Sequence, residues 1–511
     1  MNRAASRDAS IDGALRVSAV VVMIALIALL TFVPLAANDF WLQAKIGQMI
    51  VESGVIPRTV LFPYTWVQAN TFNAHEWLPS IIFHLLDRTF GYERLLFAQG
   101  AIGLMQFGLC LLLARRLSGS LAIGLLLAAM AMVVANYRYD LRPEIFALLL
   151  FVALLHVLTS YRKSADWRVL AWAAPIAVIW ANSHGSFLVG PVVAAIFAVG
   201  EAAEAARGMP GTALRTRFRA AAHAAIPYAI VVATMVLTSL LNPLGLGLLH
   251  FAVTLSSSEV TKTFIGEWTA TLSPRFMGRL PFAIFVAAAG ATLAIVVPCR
   301  RRLTVTDALL LAAFAALALQ RTRFIVFFGF AALAVCAHLL GAMPWRRELE
   351  RPALAAALGL AALGIALALR FGNVWGAYPF AAPSTNFTAP MIEKLSRPQM
   401  RGNVLNSYEL GAELIYRTYP RLRPSIDSRI DSYGDRYFLL QEHLFIEEPL
   451  LKEFVADFDV RYMLLLWREF DRLTKMKGLR QDWRVEFADH KAVLLERIDA
   501  ATKESKRPAV D

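Results

Sequence analysis

The sequence predicts an all-α polytopic membrane protein with a small α/β domain near its C-terminal end. Of the 511 residues, 58% are hydrophobic and only 17% are charged, whereas soluble proteins carry about 25% charged residues. The apolar residues form long uncharged runs such as 17–35, 95–113 and 281–297. Because a helix crosses the bilayer core with roughly 20 apolar residues, runs of this length indicate membrane spans. After residue 390 the composition changes to mixed charge, which indicates a separate folded domain.

We predict about eleven membrane-spanning helices, at residues 15–36, 94–114, 119–137, 143–161, 168–183, 185–205, 222–241, 281–298, 304–320, 323–341 and 353–371. The first could instead be a signal peptide, because the small residues near position 36 suit cleavage. Its apolar run exceeds the usual signal-peptide core of about 7–15 residues, which favours a retained helix. The three cysteines lie in or beside apolar runs and show neither a disulfide framework nor metal-ligand spacing.

The net charge of +13 is concentrated between the spans. Arginine and lysine clusters fall in every second connection, at residues 115–116, 162–168, 207–219, 300–302 and 346–351. Connections rich in these residues lie on the cytoplasmic side of membrane proteins. We therefore expect a cytoplasmic N-terminus and an extracytoplasmic C-terminal domain. The same placement accounts for the basic residues without a nucleic-acid partner.

The predicted organisation has four parts. A transmembrane domain covers residues 1–371 and includes a long first outer segment at 37–93. A linker at 372–398 leads to an extracytoplasmic α/β domain at 399–500. The size of that domain suits a single hydrophobic core. A disordered tail at 501–511 follows it.

Local patterns predict the elements outside the spans. Residues 74–90 have the spacing of an amphipathic helix that lies in the membrane interface. In the C-terminal domain, β-rich runs predict strands and a 3.6-residue period predicts helices. The predicted strands are 426–430, 460–467, 483–486 and 492–496, the last two joined as a hairpin, and the predicted helices are 409–416 and 450–458.

Asp39, directly after the first span, is the first of several ionisable residues at outer span ends, where charge is costly and marks functional candidates. A carboxylate there can act as a general base toward a hydroxyl group within hydrogen-bond reach. The alternative is a solvated interfacial aspartate beside Trp41, a residue type enriched at membrane interfaces. We predict Asp39 to be catalytic and Trp41 and Lys45 to contact substrate.

His75 and Glu76 begin the predicted interfacial helix. Glu76 is the candidate for a second catalytic acid or base, and His75 could orient it, bind a metal or contact phosphate. The alternative is a capping box, in which Asn73 caps the helix and Glu76 occupies its third position. The sequence leaves both readings open, and we include Glu76 among the catalytic residues and His75 among the substrate-binding residues.

Three arginines at outer span ends, Arg142, Arg321 and Arg323, are candidates for phosphate binding. A planar guanidinium group donates two hydrogen bonds at once to a phosphate. The alternative for Arg142 is hydration at the interface beside Pro143, which is ordinary at a helix start. Arg321 and Arg323 have almost no loop to hydrate them, which favours a cavity or the headgroup region.

Asn182 and His184 lie in a very short outer turn that ends at Gly185. The turn could be an ordinary hairpin whose glycine supplies backbone freedom. Its polarity beside Trp180 favours a lining of the site instead, and we predict both residues to bind substrate. A single histidine is a weak signal for zinc. We therefore predict no certain cofactor and leave a divalent metal open.

Asp427, Arg429 and Asp431 form the charged motif of the C-terminal domain. Alternation along 426–430 predicts a strand whose polar face carries Asp427 and Arg429. We expect these two side chains to face the mouth of a cavity and to bind substrate. The alternative is a surface ion-pair cluster, worth under about 1 kcal/mol of stability.

These features together resemble the GT-C class of multi-spanning glycosyltransferases. The resemblance rests on Asp39-Phe40-Trp41 in a long first outer segment, followed by an amphipathic helix, many further spans and a C-terminal outer domain. More narrowly, a bacterial group of membrane proteins is similar in the segments 39–41, 54–57, 75–78, 142–144, 180–185 and 426–433.

The resemblance implies a polyprenyl-phosphate sugar donor, a glycan, lipid or protein acceptor, and the bacterial inner membrane. It also implies an acidic residue of the first outer segment as the base, which by position is Asp39. Many relatives carry two acidic residues close together there. In this chain no second acidic residue lies close to Asp39, since the next one is Glu52. Glu76 would therefore have to be the partner. Two alternatives stay open: a transporter or flippase for a lipid-linked glycan, and a non-catalytic subunit of a cell-envelope glycan assembly complex.

Overall fold

The computed structural model describes residues 2–32, 35, 38–72, 74–257, 263, 266–343, 385–476 and 481–498. The chain divides into two compact units. The first, called the helical unit, comprises Met1–Leu35, Phe90–Leu248 and Lys262–Pro383. The second, called the mixed unit, comprises Ala36–Thr89, Leu249–Thr261 and Ser384–Asp511. The predicted span at 353–371 and the tail at 501–511 lie outside the described residues.

The helices account for most of the described chain. In chain order they are α1 (Asn2–Thr31), α2 (Asn38–Ser53), α3 (Trp77–Phe90), α4 (Leu95–Ser118), α5 (Leu121–Ala135), α6 (Glu144–Ser164), α7 (Ala173–Ala181), α8 (Val189–Arg207), α9 (Leu214–Ser239), α10 (Gly247–Ser257), α11 (Leu280–Cys299), α12 (Val305–Gln320), α13 (Ile325–Gly341), α14 (Ala389–Ser396), α15 (Gly411–Thr418), α16 (Asp435–Leu444), α17 (Glu448–Asp457) and α18 (Trp467–Leu473). Single helical turns at Pro274–Met277 and Ile430–Tyr433 and several short 3₁₀ turns join them.

Among the described residues, eight segments of the helical unit are long and apolar enough to cross a membrane, judged by length and composition. They are Gly13–Thr31, Tyr92–Ser118, Leu121–Arg138, Glu144–Ser164, Gly185–Arg207, Leu214–Ser239, Leu280–Arg302 and Thr322–Gly341. Two shorter apolar helices, Trp167–Ala181 and Val305–Gln320, coincide with two further predicted spans. These ten segments overlap the first ten predicted spans, and the chain is a multi-pass membrane protein.

Helix α13 forms the centre of the helical unit. It is apolar on every side, and almost all of its residues are buried, as expected for a helix enclosed by others. The ring of Phe327 lies 5.1 Å from that of Phe151 in α6 and 6.4 Å from that of Phe314 in α12. These aromatic contacts bind three helices into one core.

The mixed unit contains a five-stranded sheet. The strands are β1 (Gly402–Asn406), β2 (Leu422–Pro424), β3 (Val460–Leu466), β4 (Trp483–Ala488) and β5 (Ala492–Arg497), in the order β2-β1-β3-β5-β4. Strand β1 runs parallel to β2 and β3, whereas β5 is antiparallel to β3 and β4. The hairpin predicted from the sequence is therefore confirmed, together with the strand at β3 and the helices at α15 and α17.

The division of the chain differs from the predicted domain boundaries in two ways. The first outer segment belongs to the same compact unit as the sheet, whereas the predicted boundaries include it in the transmembrane domain. Helix α14 lies in the predicted linker, but Met391 and Leu395 are buried in the hydrophobic core beside Val404 and Leu464. Burial of these side chains makes the sheet domain start before residue 399.

The predicted strand at 426–430 is wrong. Strand β2 ends at Pro424, and residues 425–429 form a loop. The Asp427 carboxylate accepts the backbone N–H of Arg429 at 3.0 Å. This local side-chain bond replaces a ladder bond and turns the backbone, as aspartates commonly do in loops.

Helices α2 and α3 approach closely at Gly47. A Cβ atom added there would lie 1.9 Å from the carbonyl oxygen of Ser80, which leaves no room for a side chain. Helix α2 was not predicted from the sequence, because its buried residues are distributed around it instead of along one stripe. The close contact brings the polar residues of α2 and α3 together.

We expect Gly47→Ala to destabilise the mixed unit by about 1–3 kcal/mol, because overpacking must push α2 and α3 apart. The measurement is the unfolding free energy of the purified protein in detergent. Gly108→Ala in α4 is the matched control, since its Cβ would meet nothing within 4 Å. Equal stability of the two variants would contradict the close approach.

Candidate functional site

Asp39 lies in the first turn of α2 and is partly exposed. Gln43 is one helical turn further on, so that both side chains occupy the same face of α2. The Gln43 amide Nε2 donates to Glu76 Oε2 at 2.6 Å. Gln43 thus joins Glu76 to the face of α2 that also carries Asp39.

Glu76 immediately precedes α3, which begins at Trp77. The capping-box alternative required Glu76 at the third helical position and is therefore wrong. Instead the Glu76 carboxylate accepts a hydrogen bond from the side-chain amide of Gln43. The amide oxygen of Gln43 in turn accepts a short hydrogen bond from the Ser80 hydroxyl. His75 Nε2 lies 3.5 Å from Glu76 Oε1. The carboxylate is thus held by Gln43 of α2 and by the neighbouring His75, and Ser80 of α3 holds Gln43 in turn.

A small cavity of about 40 Å³ lies beside this pair of helices. His75, Glu76 and Arg429 are among its lining residues. The His75 ring also packs against Phe251, with ring centroids 4.5 Å apart. Three residues predicted independently from distant parts of the chain therefore meet in the mixed unit.

Asp427 positions Arg429 for this cavity. Asp427 is fully buried, and its oxygens accept from Arg429 Nε at 3.0 Å and Nη2 at 2.7 Å. The guanidinium group also lies 4.7 Å from the Phe72 ring centroid. Neither Asp427 nor Arg429 is exposed. The structure therefore contradicts both the predicted polar face of a strand and the alternative of a surface ion pair. Asp431 has no described side chain.

A buried polar network supports this loop. The Asn406 amide donates to Ile426 O at 2.9 Å and accepts from Ser425 N at 3.0 Å. Tyr437 donates to Ser425 O at 2.8 Å. Buried polar groups that are paired in this way rigidify the segment that carries them.

Trp41 and Lys45 lie elsewhere on α2. The Trp41 ring is 2% exposed and packs 4.9 Å from the Tyr416 ring of α15, so it stabilises the core. Because Trp41 is buried, we do not propose it as a substrate-binding residue. Lys45 donates to Gln48 Oε1 at 3.0 Å and lines a second, larger cavity.

In the helical unit, Arg142 belongs to a buried ion cluster. Arg138 pairs with Glu144 and, at 2.5 Å, with Glu267, and Arg142 Nη1 lies 2.5 Å from the same Glu267 oxygen. Burial alone would raise the pKa of the Glu267 carboxyl. The guanidinium groups of Arg138 and Arg142 outweigh burial and hold that pKa well below its ordinary value.

Arg323 and His184 form a second group in the helical unit. The Arg323 guanidinium stacks 4.8 Å from the ring centroid of Trp268, and its Nη2 lies 3.4 Å from His184 Nε2. His184 Nδ1 accepts the backbone N–H of Ser186 at 3.2 Å. Arg323 and His184 therefore lie side by side in the helical unit, where the guanidinium group contacts both the imidazole and the Trp268 ring.

The contacts of Arg321 and Asn182 are with backbone carbonyls and with another asparagine. Arg321 Nη1 donates to the adjacent Gln320 carbonyl at 3.4 Å. The Asn182 amide donates to Val178 O at 2.8 Å, and its oxygen accepts from Asn242 at 3.1 Å. Asn182 thus joins the end of α7 to the end of α9, in agreement with the turn alternative.

No group of three or more His, Cys, Asp or Glu side chains suited to a metal ion occurs among the described residues. We therefore assign no metal ligands. The residues that our sequence analysis missed are Gln43, Arg138 and Glu267. Glu267 lies 125 positions after Arg142, and no spacing rule connects them. Only its location between the predicted spans at 222–241 and 281–298 could have singled it out.

Comparisons with solved structures agree with this architecture. The oligosaccharyltransferase AglB from Archaeoglobus fulgidus, in complex with an inhibitory peptide and a dolichol-phosphate, has a TM-score of 0.57 at 12% identity, over 88% of this chain and 69% of that chain. The same organism's oligosaccharyltransferase with zinc and sulfate gives 0.54 at 12% identity, over 92% and 71%. ArnT from Cupriavidus metallidurans, bound to undecaprenyl phosphate, gives 0.50 at 13% identity, over 95% and 98%.

The sequence matches no protein-family model and no curated protein. The structural likeness extends over most of the chain and establishes its fold. This chain has the fold of the GT-C multi-spanning glycosyltransferases, as the sequence resemblance predicted.

Proposed function

We propose that the protein is an integral membrane glycosyltransferase that moves a sugar from a polyprenyl-phosphate donor to an extracytoplasmic glycan, lipid or protein. The observation that carries this proposal is the carboxylate of Asp39 in the first turn of α2, one helical turn from the Gln43–Glu76 hydrogen bond, within a GT-C fold. Two neighbours with this fold were solved with dolichol-phosphate or undecaprenyl phosphate bound.

In the proposed reaction, Asp39 takes the proton of the acceptor hydroxyl. The acceptor oxygen then bonds to the anomeric carbon of the sugar, and the bond from that carbon to the donor phosphate breaks. The polyprenyl phosphate leaves with the electron pair and gains negative charge. Glu76, held by Gln43, is the proposed second carboxylate that orients the acceptor.

The Arg323–His184 pair is the proposed binding site for the leaving phosphate. The N–H groups of the Arg323 guanidinium can stabilise the charge that develops as the phosphate departs. Stacking on Trp268 fixes the plane of the guanidinium group, which favours bidentate contact with phosphate. Arg142 is committed to Glu267 and is proposed to act indirectly, by holding the segment that carries Trp268.

We also propose a membrane orientation. The N-terminus is cytoplasmic, and the C-terminal α/β domain is extracytoplasmic in a bacterial inner membrane. The alternation of the basic connections supports this orientation. The acceptor would then be modified outside the cytoplasm.

Arg323→Lys should lower transfer by about tenfold or more, because lysine offers a point charge in place of a planar fork. We expect the Michaelis constant for the lipid donor to rise or the turnover to fall in membranes that contain the variant. Arg321→Lys is the matched control, since that side chain contacts only a neighbouring carbonyl. Full activity of Arg323→Lys would remove bidentate phosphate binding from the mechanism.

The proposed function is tested in cells by comparing surface glycans and lipid-linked sugars between a deletion strain and the wild type. We expect one surface glycan to lose a sugar while the corresponding lipid-linked sugar accumulates. Unchanged glycans and lipid-linked sugars would contradict the proposal.

A further inference from the structure

The mixed unit contains a second cavity, of about 480 Å³, which falls within the size range of small-molecule sites. Helices α2, α3 and α15 supply its charged and polar wall. The lining side chains that carry charge or a titratable group are Lys45, His84, Asp87, Arg88, Tyr416 and Arg417.

The acidic groups at this cavity are already engaged. Asp87 accepts a short hydrogen bond from the Tyr416 hydroxyl, and burial raises the pKa of its carboxyl. Glu413, which is fully buried, accepts from Arg417 Nε at 2.7 Å. Since Asp87 is the only carboxylate among the described lining residues, the cations there outnumber the acidic groups.

Both Lys45, which is half-buried, and Arg88, which is exposed, line this cavity. Burial lowers the pKa of the Lys45 ammonium, although nearby Glu52 opposes this effect. The exposed Glu52 accepts from Gln48 at 2.8 Å. A partly desolvated ammonium group gains free energy when an anion occupies the space beside it.

We propose that this cavity binds an anionic group, a carboxylate or a phosphate, carried by the acceptor. This inference rests on the proposed function and narrows its acceptor to an acidic glycan or glycolipid. Lys45 lies six residues after Asp39 on the same helix, about 9 Å along its axis and roughly a third of a turn around it. An oligosaccharide that follows the helix surface can join the two positions, with its hydroxyl at Asp39 and its acidic group at Lys45. Gln48 and Ser396 supply neutral hydrogen-bonding groups for sugar hydroxyls.

The first test is a binding experiment, which needs no donor and no turnover. Purified full-length protein is titrated with a trimer of galacturonic acid, a neutral galactose trimer and inorganic phosphate. We expect Lys45→Gln and Arg88→Gln each to weaken binding of the acidic trimer about tenfold, or about 1.4 kcal/mol, because each removes one charge-assisted contact. Binding of the neutral trimer should not change.

Arg58→Gln is the matched control, because Arg58 is an exposed arginine of the same unit outside the cavity lining. Arg88 is exposed as well, so its replacement leaves the fold intact even if Lys45→Gln does not fold. Competition by phosphate identifies a phosphorylated acceptor, and preference for the acidic trimer identifies a carboxylate. Equal effects of Arg88→Gln and Arg58→Gln, or equal affinity for acidic and neutral trimers without phosphate binding, would overturn the proposal.

The second test separates this inference from the proposed function. In a transfer assay, Arg88→Gln should raise the Michaelis constant for an acidic acceptor and leave the turnover and the donor constant unchanged. If no sugar is transferred by any form of the protein, the proposed function fails while the binding result still stands. If transfer occurs with the same constants for acidic and neutral acceptors, only the anionic site is wrong.

Discussion

Asp39→Asn is expected to lower the rate of sugar transfer by a factor of about 10²–10⁴, the usual contribution of a general base. Asparagine keeps the size and hydrogen-bonding capacity of aspartate but cannot take a proton from the acceptor. Yield and membrane insertion should not change. The measurement is the rate of transfer by purified protein that is supplied with lipid-linked donor and acceptor.

The control for this substitution is Asp435→Asn. Asp435 also lies in the first turn of a helix, α16, and is exposed. If Asp39 only interacts favourably with the N-terminal end of α2, both substitutions should cost under about 1 kcal/mol of stability and leave transfer intact. Glu76→Gln should lower transfer less than Asp39→Asn if Glu76 orients the acceptor, and equally if both carboxylates take part in proton transfer.

Glu267→Gln is expected to lower the free energy of unfolding by about 1.5–3 kcal/mol, the usual contribution of hydrogen bonds to charged groups, because the Glu267 carboxylate is only partly buried. Glutamine has nearly the same shape, so the loss comes from the negative charge that Arg138 and Arg142 share. Without that charge the two guanidinium groups repel each other in a poorly solvated place. The measurement is denaturant-induced unfolding in detergent, with exposed Glu93→Gln as the control.

The same cluster predicts a dependence on pH. The folded-state pKa of Glu267 is depressed, so its stabilising effect is fully present above the unfolded-state pKa of about 4.3. That effect is lost as the pH falls through the folded-state value. The difference in stability between the wild type and Glu267→Gln should therefore shrink in acid. A constant difference down to strongly acidic pH would contradict this account.

The membrane-spanning part was predictable from sequence because one strong physical requirement acts on it. A helix in lipid must be apolar over a fixed length, and the first ten predicted spans overlap helices in the structure. The hairpin of β4 and β5 was predictable for a similar reason, since its pattern and its turn are local. Helix α2 was missed because it is buried on several sides and lacks a single apolar stripe.

The candidate site was only partly predictable, because its decisive contacts join distant residues. Asp39, Glu76 and Arg323 were predicted as charged residues at expected outer span ends or in the expected first outer segment. Their partners depend on packing: Gln43 reaches Glu76 only because Gly47 lets α2 and α3 approach closely. The motif at 427–429 was predicted to lie on the exposed face of a strand. In the structure it lies in a buried loop, which a local turn and a polar network hold in place.

The chemistry attributed to Asp39 is tested most directly by following the fate of the lipid donor. Purified protein in detergent, where no gradient exists, is given a synthetic polyprenyl-phosphate sugar and a mixture of candidate acceptors. We predict that free polyprenyl phosphate and glycosylated acceptor form in equal amounts, and that neither forms with Asp39→Asn. A donor that stays intact in detergent, but moves between leaflets when the protein is placed in vesicles, would contradict the account and identify a transporter.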